Sequence, residues 1–234
     1  LEKVKGQTVR NDLSTLSHVF KIARTEWGME GLRNPCDDVR RPKSGKGRER
    51  RLRPGEEAAL LEAANQEWRT LITLAIETAM RRGELLSLEW DQVDLRRGVA
   101  RLDETKNGDR RDVPLSPAAI EAIKALPRRI DGRLFDTSLD DHSGRWRRLR
   151  KRAGVEGLTF HDLRHEATSR LVDSGLWNMA QIAAITGHKT MAMLKRYYQH
   201  DAADMARRMR EAGTEKPADE AGKESGRPHP GRAG

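Results

Sequence analysis

Apolar residues recur at helical spacing through most of the chain. In residues 8–27, Leu13, Leu16, Val19, Phe20 and Ala23 predict one helix or a pair at most. Asn34-Pro35 ends that pattern. Pro54-Gly55-Glu56-Glu57 opens the next helix, with proline and acids in its first turn, and the spacing predicts helices over 54–65 and 67–80. The second holds Leu71, Ile72, Leu74, Ala75 and Ile76, so it is expected to be central. It runs into Arg81 and Glu84, i and i+3 across an expected break at Gly83. Over 91–114 the period shortens. Residues 93–95, 99–102 and 111–113 read as strands, turned by Arg97-Gly98 and by Asn107-Gly108, with Lys106 at the entry to the second turn. Ser116-Pro117 caps a helix to about Leu126, where Pro127 stops it. Residues 131–140 read as loop and 141–153 as a basic helix around Trp146. Thr159 and Asp162 form a capping box, so a helix starts near Phe160. Another helix over 178–186 should end at Gly187, and Tyr197 falls on the next. Residues 203–212 read as one more short helix. Residues 213–234 have almost no large apolar groups and read as a disordered tail. These elements add up to a mainly α fold with a small three-stranded antiparallel β-sheet, an α+β class.

Composition agrees with helices. Charged residues make up 35% and apolar ones 36% of the 234 positions, which fits Ala-, Leu-, Glu- and Arg-rich helices better than a β-rich core. The formal charge of +9 favours a polyanionic partner. Cys36 is the sole cysteine, so no internal disulfide can form and a reducing, cytoplasmic setting is expected. No zinc-spaced Cys/His array, signal peptide or membrane-length apolar run is present. The first residue is Leu1, inside a helical pattern, and the chain reads as a piece of a longer protein.

Two stretches concentrate the positive charge. Residues 40–53 hold eight basic residues and one acid among Gly, Ser and Pro. They read either as a solvated tether or as a strap along phosphates, with Arg40, Arg41, Lys43, Arg50 and Arg51 as contacts. Arg145, Arg147, Arg148, Arg150, Lys151 and Arg152 on the basic helix cannot all be paired locally, which favours contact with a nucleic-acid backbone over a merely solvated face, with Arg145, Arg147, Arg148 and Lys151 as contacts. The candidate chemistry lies in Thr159–Tyr198. His161 and Arg164 are i and i+3 on one helical face, where an imidazole and a guanidinium suit a phosphate. His188 follows 24 residues after Arg164, and Tyr197 nine residues after His188. His165, one turn after His161, either faces the same site or, as is favoured, packs; the five tryptophans are read as core or interface anchors, and His18 as a helix flank.

The ordered set resembles the tyrosine recombinases, the phage-integrase family of site-specific DNA recombinases. AMRRGE resembles the first arginine box and assigns Arg81. TKNGDRRDVPLS resembles the β-hairpin lysine segment and assigns Lys106. HDLRH matches the His-x-x-Arg box, giving His161 and Arg164. TGHKTMAMLKRYY matches the Gly-His box and nucleophile helix, giving His188 and Tyr197. The first box often opens with glycine in the family; here Ala79 stands there. The resemblance implies residues 1–39 as the C-terminal part of a helical core-binding domain, 40–53 as an interdomain linker and 54–212 as the catalytic domain. It implies cofactor-free, metal-free transesterification through a 3′-phosphotyrosyl intermediate. Arg81 and Arg164 would clamp the phosphate, Lys106 protonate the leaving 5′-oxygen, His161 relay the Tyr197 proton, and His188 donate to a non-bridging oxygen. Glu84 would orient Arg81. The implied partners are double-stranded DNA recombination sites, a homotetramer on DNA and accessory DNA-bending proteins, in the nucleoid. The competing readings are a non-catalytic helical DNA-binding remnant of an integrase and a strand-passing topoisomerase.

Overall fold

The computed structural model describes residues 4–43, 45, 48, 50–103, 110–198, 206, 209 and 210. The chain divides into two units, Leu1–Arg50 and Arg51–Gly234. Lys106, the Asn107-Gly108 turn and the 213–234 tail lie outside the described residues, as does most of the expected helix over 203–212.

In the first unit, helix α1 (Gly6–Thr25) buries only Ala23. A short 3₁₀ turn, Pro35–Asp37, returns to it. Asn34 caps that turn by accepting from the Cys36 N–H at 3.0 Å, and its amide donates to Ser17 Oγ at 2.9 Å, tying the turn to α1.

The second unit holds the core. Helices α2 (Glu56–Ala63) and α3 (Gln66–Thr78) follow the predicted pattern, with Asn65 capping α3 through the Trp68 N–H. Leu71, Ile72 and Leu74 are completely buried, and α3 packs against α5 (Pro117–Lys124) and α7 (Phe160–Asp173). The three strands, β1 (Val93–Asp94), β2 (Val99–Leu102) and β3 (Arg111–Pro114), form an antiparallel sheet in the order β1-β2-β3, with Ala100 opposite Val113 and Leu102 opposite Arg111. Helix α6 (Leu139–Arg152) buries His142, Trp146 and Leu149, and turns Arg147, Arg148 and Lys151 to solvent. The sequence of α7 dictates its start: the Thr159 hydroxyl accepts from the Asp162 N–H, and the Asp162 carboxylate accepts from the Thr159 N–H at 2.7 Å. Helix α8 (Met179–Thr186) stops at Gly187, whose φ of 68° is the left-handed conformation a glycine adopts without strain. Helix α9 (Met191–Leu194) and a 3₁₀ turn, Lys195–Tyr197, follow.

The break after α3 differs from expectation. It falls at Ala79 (φ 52°, ψ 22°), while Gly83 lies inside α4 (Arg82–Leu86). Two tethers hold an L-residue in that left-handed conformation. Thr78 Oγ1 donates to Leu74 O at 2.5 Å and accepts from Met80 N at 3.3 Å. The Ala79 carbonyl is bonded by Arg164 from α7. The break leaves Arg81 as the N-cap of α4, three positions before Glu84.

Candidate active site

Three backbone carbonyls at helix ends, those of Ala79, Thr186 and Gly187, orient the two arginines. Arg164, 5% exposed, donates to the Ala79 carbonyl and, at 2.7 Å, to that of Thr186. Arg81 donates from one terminal nitrogen to Gly187 O at 2.7 Å and from the other to Glu84 Oε1 at 2.8 Å. Ala79 precedes Arg81 by two positions, and Gly187 precedes His188. The ends of α3 and α8 therefore bring Arg81, Arg164 and His188 together. Burial lowers the pKa of Arg164 to about 10, and the nearby charge of Arg81 adds to the effect.

Glu84 accepts four hydrogen bonds. Its Oε1 takes one from Arg81 and one from Arg111 at 2.9 Å. Its Oε2 takes the Arg81 backbone N–H at 2.8 Å and Arg111 at 2.7 Å. Burial alone would raise its pKa; the Arg111 and Arg81 bonds outweigh that and hold the carboxyl below its usual range.

His188 and Tyr197 complete the cluster. His188 Nδ1 lies 2.6 Å from Thr186 Oγ1, and its ring centroid is 6.3 Å from that of Tyr197. Burial, with Arg164 and Arg81 beside it, depresses the His188 pKa to about 3, so the imidazole is neutral. The Tyr197 hydroxyl lies 2.5 Å from His165 Nδ1 and accepts from Arg196 at 2.8 Å. Arg196 also approaches His165 Nδ1 at 2.9 Å; a guanidinium only donates, so that nitrogen is an acceptor, its lone pair shared between Arg196 and the phenol. Burial, then Arg196 and His161, push the His165 pKa to about 4. His161 stands edge-on to His165 with ring centroids 4.7 Å apart, and its pKa is lowered by burial and by Arg164.

Of the residues the sequence singled out, Arg81, Arg164, His188 and Tyr197 converge directly, and His161 joins them through His165. Lys106 lies outside the described residues. For His165, where the sequence favours packing over facing the site, the structure shows the second: its imidazole touches the Tyr197 hydroxyl, because position 165 is one turn after His161 on the same face of α7. Arg111 and Arg196 were not foreseen. Arg111 had a legible signal, since strand alternation puts it on the same face as the buried Val113. Among the basic residues proposed for DNA, Arg147, Arg148 and Lys151 are exposed on α6. Arg145 lies 3.8 Å from both Asp136 and Asp141. Arg51 is engaged by Glu166 and Asp173. In the first unit Arg40, Arg41 and Lys43 are exposed and Arg50 is half-buried. Among the tryptophans, Trp68 and Trp146 are core residues, whereas Trp27 is 61% exposed and Trp177 40%. Among the described residues, no group of three His, Cys, Asp or Glu side chains could hold a metal ion, and no helix is long and apolar enough to cross a membrane.

Residues 50–204 match the model of the phage integrase family. The chain belongs to that family. It is 47% identical over 197 residues to a shufflon-specific DNA recombinase of Escherichia coli, a match covering 83% of this chain and 51% of that protein. A putative integrase/recombinase of Haemophilus influenzae is 37% identical over 218 residues, covering 88% of this chain and 71% of that one. The integrase fold is also seen in the Tn1549 transposon integrase in complex with a circular intermediate DNA (TM-score 0.67, 22% identity, 90% of this chain and 80% of that one). The catalytic domain of bacteriophage HP1 integrase matches as well (TM-score 0.56, 24% identity, 72% of this chain and 98% of that one). This integrase-family chain spans about half the length of the Escherichia coli recombinase it matches.

Proposed function

We propose that this chain is the strand-cutting part of a site-specific DNA recombinase, with Tyr197 as nucleophile. The observation that carries the reading is the meeting of Arg81, Arg164 and His188 at the ends of α3 and α8, with the Tyr197 ring 6.3 Å from that of His188 and its hydroxyl against His165 of α7. The Tyr197 oxygen attacks the scissile phosphorus, a 3′-phosphotyrosyl ester forms, and the bond to the 5′-oxygen breaks. The phenol proton leaves to the imidazoles, with His165 Nδ1 as the acceptor in place and His161 behind it. Lys106 supplies the proton to the 5′-oxygen. Storing the bond as an ester lets the strand be rejoined by the reverse steps.

Arg81 and Arg164 stabilise the charge on the non-bridging oxygens, the role a divalent ion plays in other phosphoryl-transfer sites. Each retains N–H groups beyond those bound to backbone. His188 donates from Nε2 when the Thr186 hydroxyl turns its single proton from the Ile182 carbonyl, 2.7 Å away, to Nδ1. Arg147, Arg148 and Lys151 contact the DNA backbone, helped by Arg145 and by the basic stretch from Arg40 to Arg50, while Arg51 stays bonded to Glu166 and Asp173. Residues 1–39 belong to a core-binding domain. The recombining species is a tetramer on paired sites, with accessory DNA-bending proteins, among the nucleoid DNA of the cytoplasm.

The test uses nicked duplexes tiled from the DNA flanking the reading frame, which trap a covalent intermediate. A protein–DNA adduct should form, disappear in Tyr197→Phe and persist in Tyr198→Phe. Binding without an adduct would favour a non-catalytic DNA-binding protein, and an adduct surviving Tyr197→Phe would assign the nucleophile elsewhere.

A further inference from the structure

We infer that Arg111 is a positioning residue for the phosphate clamp, acting through Glu84 on Arg81; this rests on the strand-cutting reading above. The guanidinium of Arg111 grips both oxygens of Glu84 at 2.9 and 2.7 Å. The same two oxygens hold Arg81, one through its side chain and one through its backbone N–H. A carboxylate has about four acceptor sites, and here all are filled. Glu84 therefore cannot swing, and the Arg81 guanidinium is fixed between it and the Gly187 carbonyl.

Charge gives a second reason. Arg81 and Glu84 alone would form a neutral pair, with nothing left over to attract a phosphate. Arg111 brings the trio to a net +1, so the positive charge of Arg81 stays available to an incoming anion. The Arg111 side chain is 11% exposed and that of Glu84 8%, so water does little to screen this exchange. The fold also makes room for the contact. A Cβ at Gly187 would stand 2.6 Å from an Arg111 terminal nitrogen and 2.8 Å from its Cζ. The glycine of the Gly-His pair thus admits the Arg111 guanidinium while its carbonyl receives Arg81. Arg111 Nε is buried without a hydrogen-bond partner among the described residues, so the two bonds to Glu84 are what hold the guanidinium in place.

The experiment measures single-turnover adduct formation on the nicked duplex for the full chain, with DNA affinity and melting temperature recorded for each variant. Arg111→Met should slow adduct formation roughly 10–100-fold, as loss of an outer partner does at other sites, with DNA affinity little changed. Arg81→Ala combined with Arg111→Met should be no slower than Arg81→Ala alone, because the two act through one guanidinium. With the two methylphosphonate diastereomers assayed separately at the scissile position, Arg111→Met should approach the wild-type rate on the one whose methyl group replaces the oxygen Arg81 serves. A residue that merely braces the sheet would slow both substrates alike, which would overturn the inference; so would multiplicative defects or a wild-type rate in Arg111→Met. If Arg111→Met is too unstable to assay, Arg111→Lys keeps the charge and one bond, and an intermediate rate with the same substrate dependence is expected. If the wild type itself forms no adduct, the strand-cutting reading fails. The crystal structure of Arg111→Met then decides the positioning separately: an unmoved Arg81 would overturn it.

Discussion

Gly187 and Gly175 have nearly the same backbone, with φ of 68° and 67°, and different surroundings. A Cβ at Gly175 would meet nothing within 4 Å; one at Gly187 would lie 2.6 Å from the Arg111 terminal nitrogen and 3.1 Å from its Nε. Alanine in the left-handed region costs about 1–2 kcal/mol, and the stiffer unfolded chain returns about 0.4–1 kcal/mol. Gly175→Ala should therefore cost about 1 kcal/mol. Gly187→Ala must in addition displace a guanidinium that makes two charge-assisted bonds to Glu84, each worth about 1.5–3 kcal/mol. Partial re-formation after a shift leaves about 2–3 kcal/mol on top of the strain. At about 2–4 °C per kcal/mol for a unit of this size, Gly187→Ala should melt roughly 10 °C below wild type and Gly175→Ala only a few degrees below. The assay is thermal and urea unfolding of both variants, repeated for Gly187→Ala in an Arg111→Met background. There the extra cost should vanish, leaving backbone strain alone. Equal costs at the two glycines in the wild-type background would refute the account of Gly187 as the residue that admits Arg111.

Two further expectations concern buried groups. His142 is 1% exposed against the rings of Trp68 and Phe160, and neither ring nitrogen has a hydrogen-bond partner among the described residues. His142→Phe should stabilise the protein by about 1 kcal/mol at pH 7 by removing unpaired buried nitrogens. Burial, with Arg82 nearby, lowers the His142 pKa to about 4, so between pH 6.5 and about 4 the unfolded chain takes up a proton the folded one refuses. Over that window wild type should lose about 1.4 kcal/mol per pH unit relative to the variant; parallel pH–stability curves would sink this. Glu166 accepts from Arg51, Arg170 and the Leu52 N–H, and these bonds overcome burial to hold its pKa below 4.5. Its stabilisation is complete above the unfolded value and lost as pH falls through the lower folded one. Glu166→Gln should cost about 1–2 kcal/mol at pH 7, discounted because Arg51 and Arg170 are partly solvated. Urea unfolding at pH 7 and pH 3 should find the gap between variant and wild type closing at acid pH.

What the sequence made legible was local chemistry. The Thr159–Asp162 capping box, the glycine stop after α8 and the three short strands depend on neighbours within a few positions, and they fall near their predicted places. What it concealed depended on distant partners. The break at Ala79 is fixed by an arginine 85 positions away, so local propensity favoured Gly83. Arg51 sits in a basic stretch that reads as DNA-seeking, yet it bonds Glu166, 115 positions later. Arg111 sits in a strand read for its apolar alternation, yet it faces inward to a glutamate on α4. A formal charge of +9 is a sum over all cations, and it does not say which ones the fold has already engaged. Arg51, Arg81, Arg111 and Arg170 are all bonded to the inward-facing carboxylates of Glu84 or Glu166. Arg147, Arg148 and Lys151 stand on the exposed side of α6, where a DNA backbone can reach them without breaking an ion pair to any of the described residues. Substituting those three should therefore flatten the salt dependence of DNA binding by about one unit of slope per residue, while substituting Arg111 should leave that slope alone and change the rate of strand cleavage instead.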